Sequence, residues 1–150
     1  MQPRNITHSK GFKIFKTTFS KGSTSKAFKK YIYVNLWSLG CQPCIDELSF
    51  IDSLKDYIHK DIDYFFVSSH SDPAVSGFLN RKKISIINFI FINNMLDFIS
   101  GVFNEIDING IVFPTHVIMK RNGEILAFYC GSMNSKEEAL PVINFINNLP

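Results

Sequence analysis

The sequence predicts an α/β domain with a central mixed β-sheet flanked by helices. Three observations carry that expectation. First, apolar, β-branched or aromatic runs alternate with amphipathic stretches through the middle of the chain, and alternating βα units imply a sheet with a parallel part. Second, Arg121-Asn122-Gly123 separates two apolar runs, and Asn-Gly is a strong hairpin signal that adds an antiparallel edge. Third, the 150 residues are 45% hydrophobic and 19% charged, enough for one core and unlike a disordered chain. A single domain over 1–150 is expected, with 1–25 as an N-terminal extension or hairpin.

The elements follow in order. A weak strand is expected over 11–19, then a polar loop, SKGSTSKAFKK. YIYVNLW, 31–37, carries no charge and reads as a strand buried on both faces. From about Gln42 to His59, Ile45, Leu48, Ile51, Leu54 and Ile58 recur at spacings of three or four, the mark of an amphipathic helix. DYFFVSS, 63–69, is the next strand. Asp72-Pro73 offers an N-cap and a Pro at N1 for a helix to about Lys82. NFIFIN, 88–93, reads as a strand, NMLDFISGVF as a short helix and EIDINGIVFP as a loop. THVIMK and EILAFYC are the hairpin strands, Gly131 breaks the second, and Ser135 ahead of Glu137 and Glu138 opens a last helix to about Asn148.

Composition excludes several classes. No apolar run is long enough to span a bilayer. The opening MQPRNITHSKGF lacks the apolar core of a signal peptide, so the expectation is a cytosolic protein or a domain whose targeting segment was removed. A net charge of +3 is too small to argue for nucleic acid, and no nucleic-acid partner is expected. Basic residues from Arg4 to Lys30, with no acid before Asp46, read as a solvated basic edge. Three cysteines are too few for a disulfide scaffold, so chemistry or redox sensing is favoured over stapling.

Cys41 and Cys44 stand where the apolar strand meets the helix, with Gln42-Pro43 between them. The first N–H groups of a helix are unpaired and carry the positive end of its dipole, so they stabilise a thiolate at Cys41. Pro43 falls in the first turn, where a missing N–H costs nothing. Cys41 is thereby placed as an exposed nucleophile and Cys44, one turn in, as a shielded resolving thiol. A staple or a metal clip remains open, but a two-residue loop removes little chain entropy, so a staple there would add little. Thiol–disulfide exchange is the favoured chemistry, and it requires no cofactor and no metal.

VNLWSLGCQPCIDEL resembles the thioredoxin-fold signature of a strand, W-x-x-x-C-x-P-C and a helix. VFPTHVIMKRNGEIL resembles that family's cis-proline loop and following hairpin. The extra strand and helix at about 86–104 resemble the β-α insertion of the TlpA/ResA-like branch of extracytoplasmic bacterial thiol–disulfide oxidoreductases, and CGSMNSKEE resembles its closing turn. The resemblance implies a thioredoxin-like fold with that insertion before the cis-proline loop. It implies Cys41 as attacking thiol, Cys44 as resolving thiol and Glu47 as an acid beside them. It implies a substrate groove at Trp37, Gly40, Pro43, Phe113, Pro114 and Thr115, with a cis peptide at Phe113–Pro114. It implies partners that are disulfide-bearing or dithiol proteins, a membrane electron donor and a location outside the cytoplasm, with the chain acting as a reductant and as a monomer. Gly40 departs from the pattern: a Trp usually precedes the first Cys, so the apolar cover over the disulfide is expected to be thin. The family's usual opening is poorly matched before residue 25.

Other residues have plainer readings. Glu47, three after Cys44, shares its helical face, where it can take a proton from Cys44 and oppose a thiolate by like charge. The alternative is a solvated Glu favoured by the helix dipole, which is also the reading of Asp46 as a first-turn acid. Trp37 reads equally as core or as platform. His116 reads as a half-buried strand histidine on the face of Pro114, and Cys130 as a small core residue. Two other functions compete. A copper-handling binding protein on the same fold would use Cys41, Cys44 and His116. A peroxiredoxin-like peroxidase would need a Pro where Val34 stands, although Ser38 is present.

Overall fold

The computed structural model describes residues 4–5, 29–68, 72–83, 89–91 and 114–150. In chain order its elements are β1 (Arg4–Asn5), β2 (Tyr31–Leu36), α1 (Gln42–Leu54), a 3-10 turn (Lys55–Tyr57), β3 (Ile62–Ser68), α2 (Asp72–Lys82), β4 (Phe89–Phe91), β5 (Thr115–Lys120), β6 (Glu124–Cys130) and α3 (Lys136–Asn147). They form a thioredoxin-like α/β arrangement around a six-stranded sheet in the order β1-β6-β5-β2-β3-β4. β2 pairs parallel to β3 and antiparallel to β5, and β4 lies parallel to β3 at the edge. The sheet is therefore mixed, as the alternation of elements predicts.

β2 is buried along its whole length, which explains why it needs no polar alternation. Its odd-numbered side chains face a core shared with α1 and α3. That core includes Tyr31, Tyr33 and Trp37 of the β2 segment, Leu48, Ile51 and Leu54 of α1, and Ala139, Val142, Ile143 and Ile146 of α3. The hairpin forms as Asn122-Gly123 implies. Gly123 takes φ 90°, its N–H meets the Lys120 carbonyl at 2.9 Å, and Asn122 Oδ1 accepts from the Glu124 N–H at 3.0 Å. Ser135 caps α3, its Oγ accepting the Glu138 N–H, while Glu138 reaches back to the Asn134 N–H at 2.8 Å.

Three expectations change. The helix expected to run to His59 ends at Leu54 and tightens into the 3-10 turn, because Ile58 is extended (φ −103°, ψ 122°) and still reaches the core. A long local bond, from the Ile58 N–H to the Lys55 carbonyl at 3.4 Å, is reinforced by Asn147 of α3: its Oδ1 accepts the His59 N–H at 2.8 Å and its Nδ2 donates to the Tyr57 carbonyl at 3.0 Å. The hairpin is not the sheet's edge, since β1 pairs with β6 through Arg4↔Ile125 and Asn5↔Glu124. Asp46 lies beyond the first turn of α1 and accepts a hydrogen bond from Gln42 Nε2 at 2.7 Å. The strand expected at 11–19 and the helix expected after β4 fall outside the described residues, as does most of the expected insertion.

Candidate active site

The chain leaves β2 at Leu36 and enters α1 six residues later, so the strand end and the helix N-terminus meet at Cys41. Trp37 N–H continues the β2–β3 ladder by donating to the Val67 carbonyl at 3.1 Å. A tight turn follows, with the Cys41 N–H on the Ser38 carbonyl at 3.1 Å and the Gly40 N–H on Ser38 Oγ at 3.2 Å. Cys41 is the N-cap of α1 in extended conformation (φ −104°, ψ 103°), and Pro43 sits in the first turn. Cys41 and Cys44 are joined by a disulfide, their Cα atoms 5.3 Å apart. Cys41 is partly exposed, whereas Cys44 is fully buried. The Cys44 N–H donates to Cys41 Sγ at 3.3 Å, so one of the helix's orphan donors points at the outer sulfur.

Glu47 lies one turn beyond Cys44 on the same inner face of α1 and is completely buried. That excludes the solvated reading, because a buried carboxylate must be met by donors. Asn35 Nδ2 donates to its Oε1 at 3.0 Å, and the Met133 N–H donates to its Oε2 at 2.8 Å. His116 Nε2 lies 3.3 Å from the same Oε2 and 3.2 Å from the Gly131 carbonyl oxygen. The other ring nitrogen, Nδ1, is 2.5 Å from the Tyr33 hydroxyl. The sheet register assembles this group: Asn35 pairs with His116 across β2 and β5, and Tyr33 is two residues back on the same face. Burial, and then the charge of Glu47, push the Tyr33 hydroxyl well above its usual range, so Tyr33 keeps its proton.

The structure brings Cys41, Cys44 and Glu47 together and sorts the expected groove residues. Gly40 and Pro43 are exposed beside the disulfide. A Cβ on Gly40 would meet only Ser38 Oγ, at 3.8 Å, so the position has room for a larger side chain. Trp37 is 1% exposed and packs into the core, which corrects the platform reading: it continues the inward-facing parity of Tyr33 and Asn35. Pro114 and Thr115 are buried too, so their side chains do not line an open groove. The Pro114 carbonyl accepts the Gly131 N–H at 2.9 Å, tying the start of β5 to the end of β6. Phe113, and with it the Phe113–Pro114 bond, lies outside the described residues. Cys130 is exposed rather than core, because it ends β6. Asn35, Tyr33 and the Met133 amide were not picked out from the sequence. Asn35 inside a charge-free strand was the available signal; the Met133 amide gives none.

Both nitrogens of His116 are engaged, and the ring is fully buried rather than half-buried. No group of three potential metal ligands occurs among the described residues. No helix among them is long and apolar enough to cross a membrane.

Among solved structures the chain is similar to a thiol:disulfide interchange protein of the thioredoxin family from Chlorobium tepidum, at 17% identity and TM-score 0.59 over 79% of this chain and 81% of that one. It is similar to a thioredoxin-related protein from Neisseria meningitidis, at 16% identity and TM-score 0.59 over 85% and 92%. It is also similar to an exposed lipoprotein thioredoxin from Streptococcus pneumoniae, at 14% identity and TM-score 0.57 over 79% and 87%. No family profile and no curated protein matches the chain. These likenesses establish a thioredoxin-like fold.

Proposed function

We propose that the protein is a thiol–disulfide oxidoreductase that reduces disulfides on partner proteins through Cys41 and Cys44. The observation that carries this reading is Cys41 at the N-cap of α1, its sulfur accepting the Cys44 N–H, with a fully buried Glu47 one turn further in. In the reduced protein the Cys41 thiolate, stabilised by that N–H and the helix dipole, attacks one sulfur of a partner disulfide. A mixed disulfide forms and the partner's other sulfur leaves as a thiolate, taking a proton from solvent. Cys44 then gives its proton to Glu47 and attacks Cys41 Sγ. The Cys41–Cys44 bond forms, the bond to the partner breaks, and two electrons have passed to the partner.

Glu47 suits the proton step because its two oxygens are unequally occupied. Oε2 has the Met133 N–H and His116 beside it, while Oε1 accepts from Asn35 alone among the described residues. A carboxylate oxygen has two lone pairs, so Oε1 keeps one with which it can take a proton. Substrate approach is over exposed Gly40 and Pro43 beside the disulfide. A single domain over 1–150, working as a monomer outside the cytoplasm with a membrane electron donor, completes the reading. The likeness to an exposed lipoprotein thioredoxin is in keeping with that location.

The test is the reduction potential of the Cys41–Cys44 pair, with insulin reduction as the activity. A potential near about −270 mV fits a reductant, and one near about −120 mV would make the protein an oxidant instead. The copper-binding alternative is weakened by His116, whose ring is taken up by Glu47, Gly131 and Tyr33. Stoichiometric Cu(I) binding without disulfide turnover would restore it.

A further inference from the structure

We propose that His116, held by Tyr33, is a positioning residue for the resolving step: it fixes the Glu47 carboxylate so that Oε1 faces Cys44. This rests on the reading above, in which Glu47 takes the Cys44 proton. The argument starts from what a buried strand histidine requires. His116 has no exposed surface, so both ring nitrogens must be satisfied inside the protein. Nε2 faces two acceptors, Glu47 Oε2 at 3.3 Å and the Gly131 carbonyl at 3.2 Å. In the neutral ring Nε2 therefore carries the hydrogen, and Nδ1 takes the hydroxyl hydrogen of Tyr33 at 2.5 Å. Tyr33 thus sets which nitrogen is the donor. It can do so over the whole working pH range because burial keeps it protonated.

The consequence for Glu47 is orientational. A carboxylate on a helix can rotate about its last bond, and a partial rotation swings both oxygens away from their donors. The Met133 N–H and the His116 Nε2–H both favour one oxygen, and Asn35 Nδ2 holds the other. The groups facing the His116 ring are Glu47 from α1, Tyr33 from β2 with Tyr64 of β3 at 5.7 Å behind it, and Tyr129 of β6 opposite in register. Glu47 is the only acid among these and the only one of them that also shares the inner face of α1 with Cys44. During resolution the proton leaves Cys44 Sγ for Glu47 Oε1, the Cys44–Cys41 bond forms, and the leaving thiolate carries the electron pair of the broken bond. His116 neither gains nor loses a proton in that step; it holds the acceptor.

The probe is single-turnover release of thionitrobenzoate from its mixed disulfide with Cys41, formed with Ellman's reagent in a Cys130→Ser background and followed across pH. His116→Leu removes the donor and should slow release by about 10- to 100-fold, the scale of a misplaced reacting group. His116→Gln places an amide N–H near the position of Nε2 and should recover most of the rate, which also guards against a His116→Leu chain that fails to fold. Tyr33→Phe should reproduce part of the loss. The deciding comparison is Glu47→Gln with and without His116→Leu. If His116 works through Glu47, the double variant is no slower than Glu47→Gln alone. Release from His116→Leu at the wild-type rate, no recovery in His116→Gln, or an equal slowing by His116→Leu in both backgrounds would overturn the inference while leaving the role of Glu47 intact. Wild-type release from Glu47→Gln would overturn the role of Glu47 and the inference together.

Discussion

The two ends of β2 hold their polar groups in opposite ways. At the Tyr31 end the partners lie at the surface. Lys29 Nζ pairs with Asp61 at 2.5 Å, with side chains 45% and 84% exposed, and the Tyr31 hydroxyl donates to the Pro150 carbonyl at 2.6 Å. At the Trp37 end, Asn35, Glu47 and His116 have no exposed surface at all. Water screens the Lys29–Asp61 pair and can replace either member of it, although Tyr31 itself is buried in the core. Removing a member of the second set strands its buried partners, which lie inside the core: Asn35 Nδ2, the Met133 N–H and His116 all converge on Glu47, and Asn35 Oδ1 is already buried without a hydrogen-bond partner among the described residues. A chain that only needed to fold would fill those positions with apolar side chains. The polar cluster sits where the proposed chemistry needs a proton acceptor and is missing where it does not.

The sharpest way to break this comparison is at the sulfurs. Cys41→Ser should show no measurable exchange. Cys44→Ser should accumulate mixed disulfides through Cys41, seen as partner-sized adducts on non-reducing gels. Adducts through Cys44 in Cys41→Ser, with activity kept, would reverse the roles. Next in size is Glu47→Gln. Loss of a general base typically costs about 10²-fold or more, and that is the expected slowing of mixed-disulfide resolution. The same change removes a negative charge near the pair, so the Cys41 thiolate, followed by its ultraviolet absorbance, should form at lower pH. Unchanged values in both measurements would leave Glu47 a structural group only.

Much of this was legible beforehand because it is local. The C-x-x-C pair, Pro43 and the amphipathic spacing from Ile45 to Leu54 sit within one strand–helix junction, so sequence distance stands for spatial distance. The helix face shared by Cys44 and Glu47 follows from the same short range. What was hidden is long-range. His116 reaches Glu47 only because β5 pairs with β2 in one register, and a slip of one residue would turn it to the other face. Trp37 read equally as core or platform because it neighbours the site in sequence, and strand parity carries it inward. The end of α1 depends on Asn147, from the last helix, and no pattern near His59 announces it.

A smaller effect compares the ends through pH. Burial raises the Tyr33 hydroxyl well above its ordinary value and also raises that of Tyr64. Both are neutral in the folded chain at pH values where the unfolded chain ionises. The stability they contribute is full below about pH 10 and is lost as pH rises further, at up to about 1.4 kcal/mol per pH unit for each such tyrosine. Alkaline unfolding monitored by circular dichroism should therefore be steep above about pH 10, and the slope should ease in Tyr33→Phe. An unchanged slope in that variant would mean Tyr33 is accessible to solvent.

The smallest effect belongs to the opposite end. Lys29 carries two interactions there: its ammonium pairs with Asp61 and its backbone N–H donates to Asp63 Oδ2 at 2.7 Å. Lys29→Gln removes the first and keeps the second. The ammonium is nearly half exposed and the Asp61 carboxylate mostly so, which lets water and salt screen the pair. Exposed pairs of this kind contribute roughly 0–1 kcal/mol, and holding two long side chains in one geometry costs entropy against even that. Lys29→Gln should therefore shift the melting temperature by no more than about 2–4 °C at low salt and by less at high salt. Exchange activity should be unchanged, because the substitution leaves the buried cluster and the disulfide untouched. A loss of activity in Lys29→Gln without a matching loss of stability would mean that the two ends of β2 are coupled, and the contrast between a replaceable surface end and an irreplaceable buried end would fail.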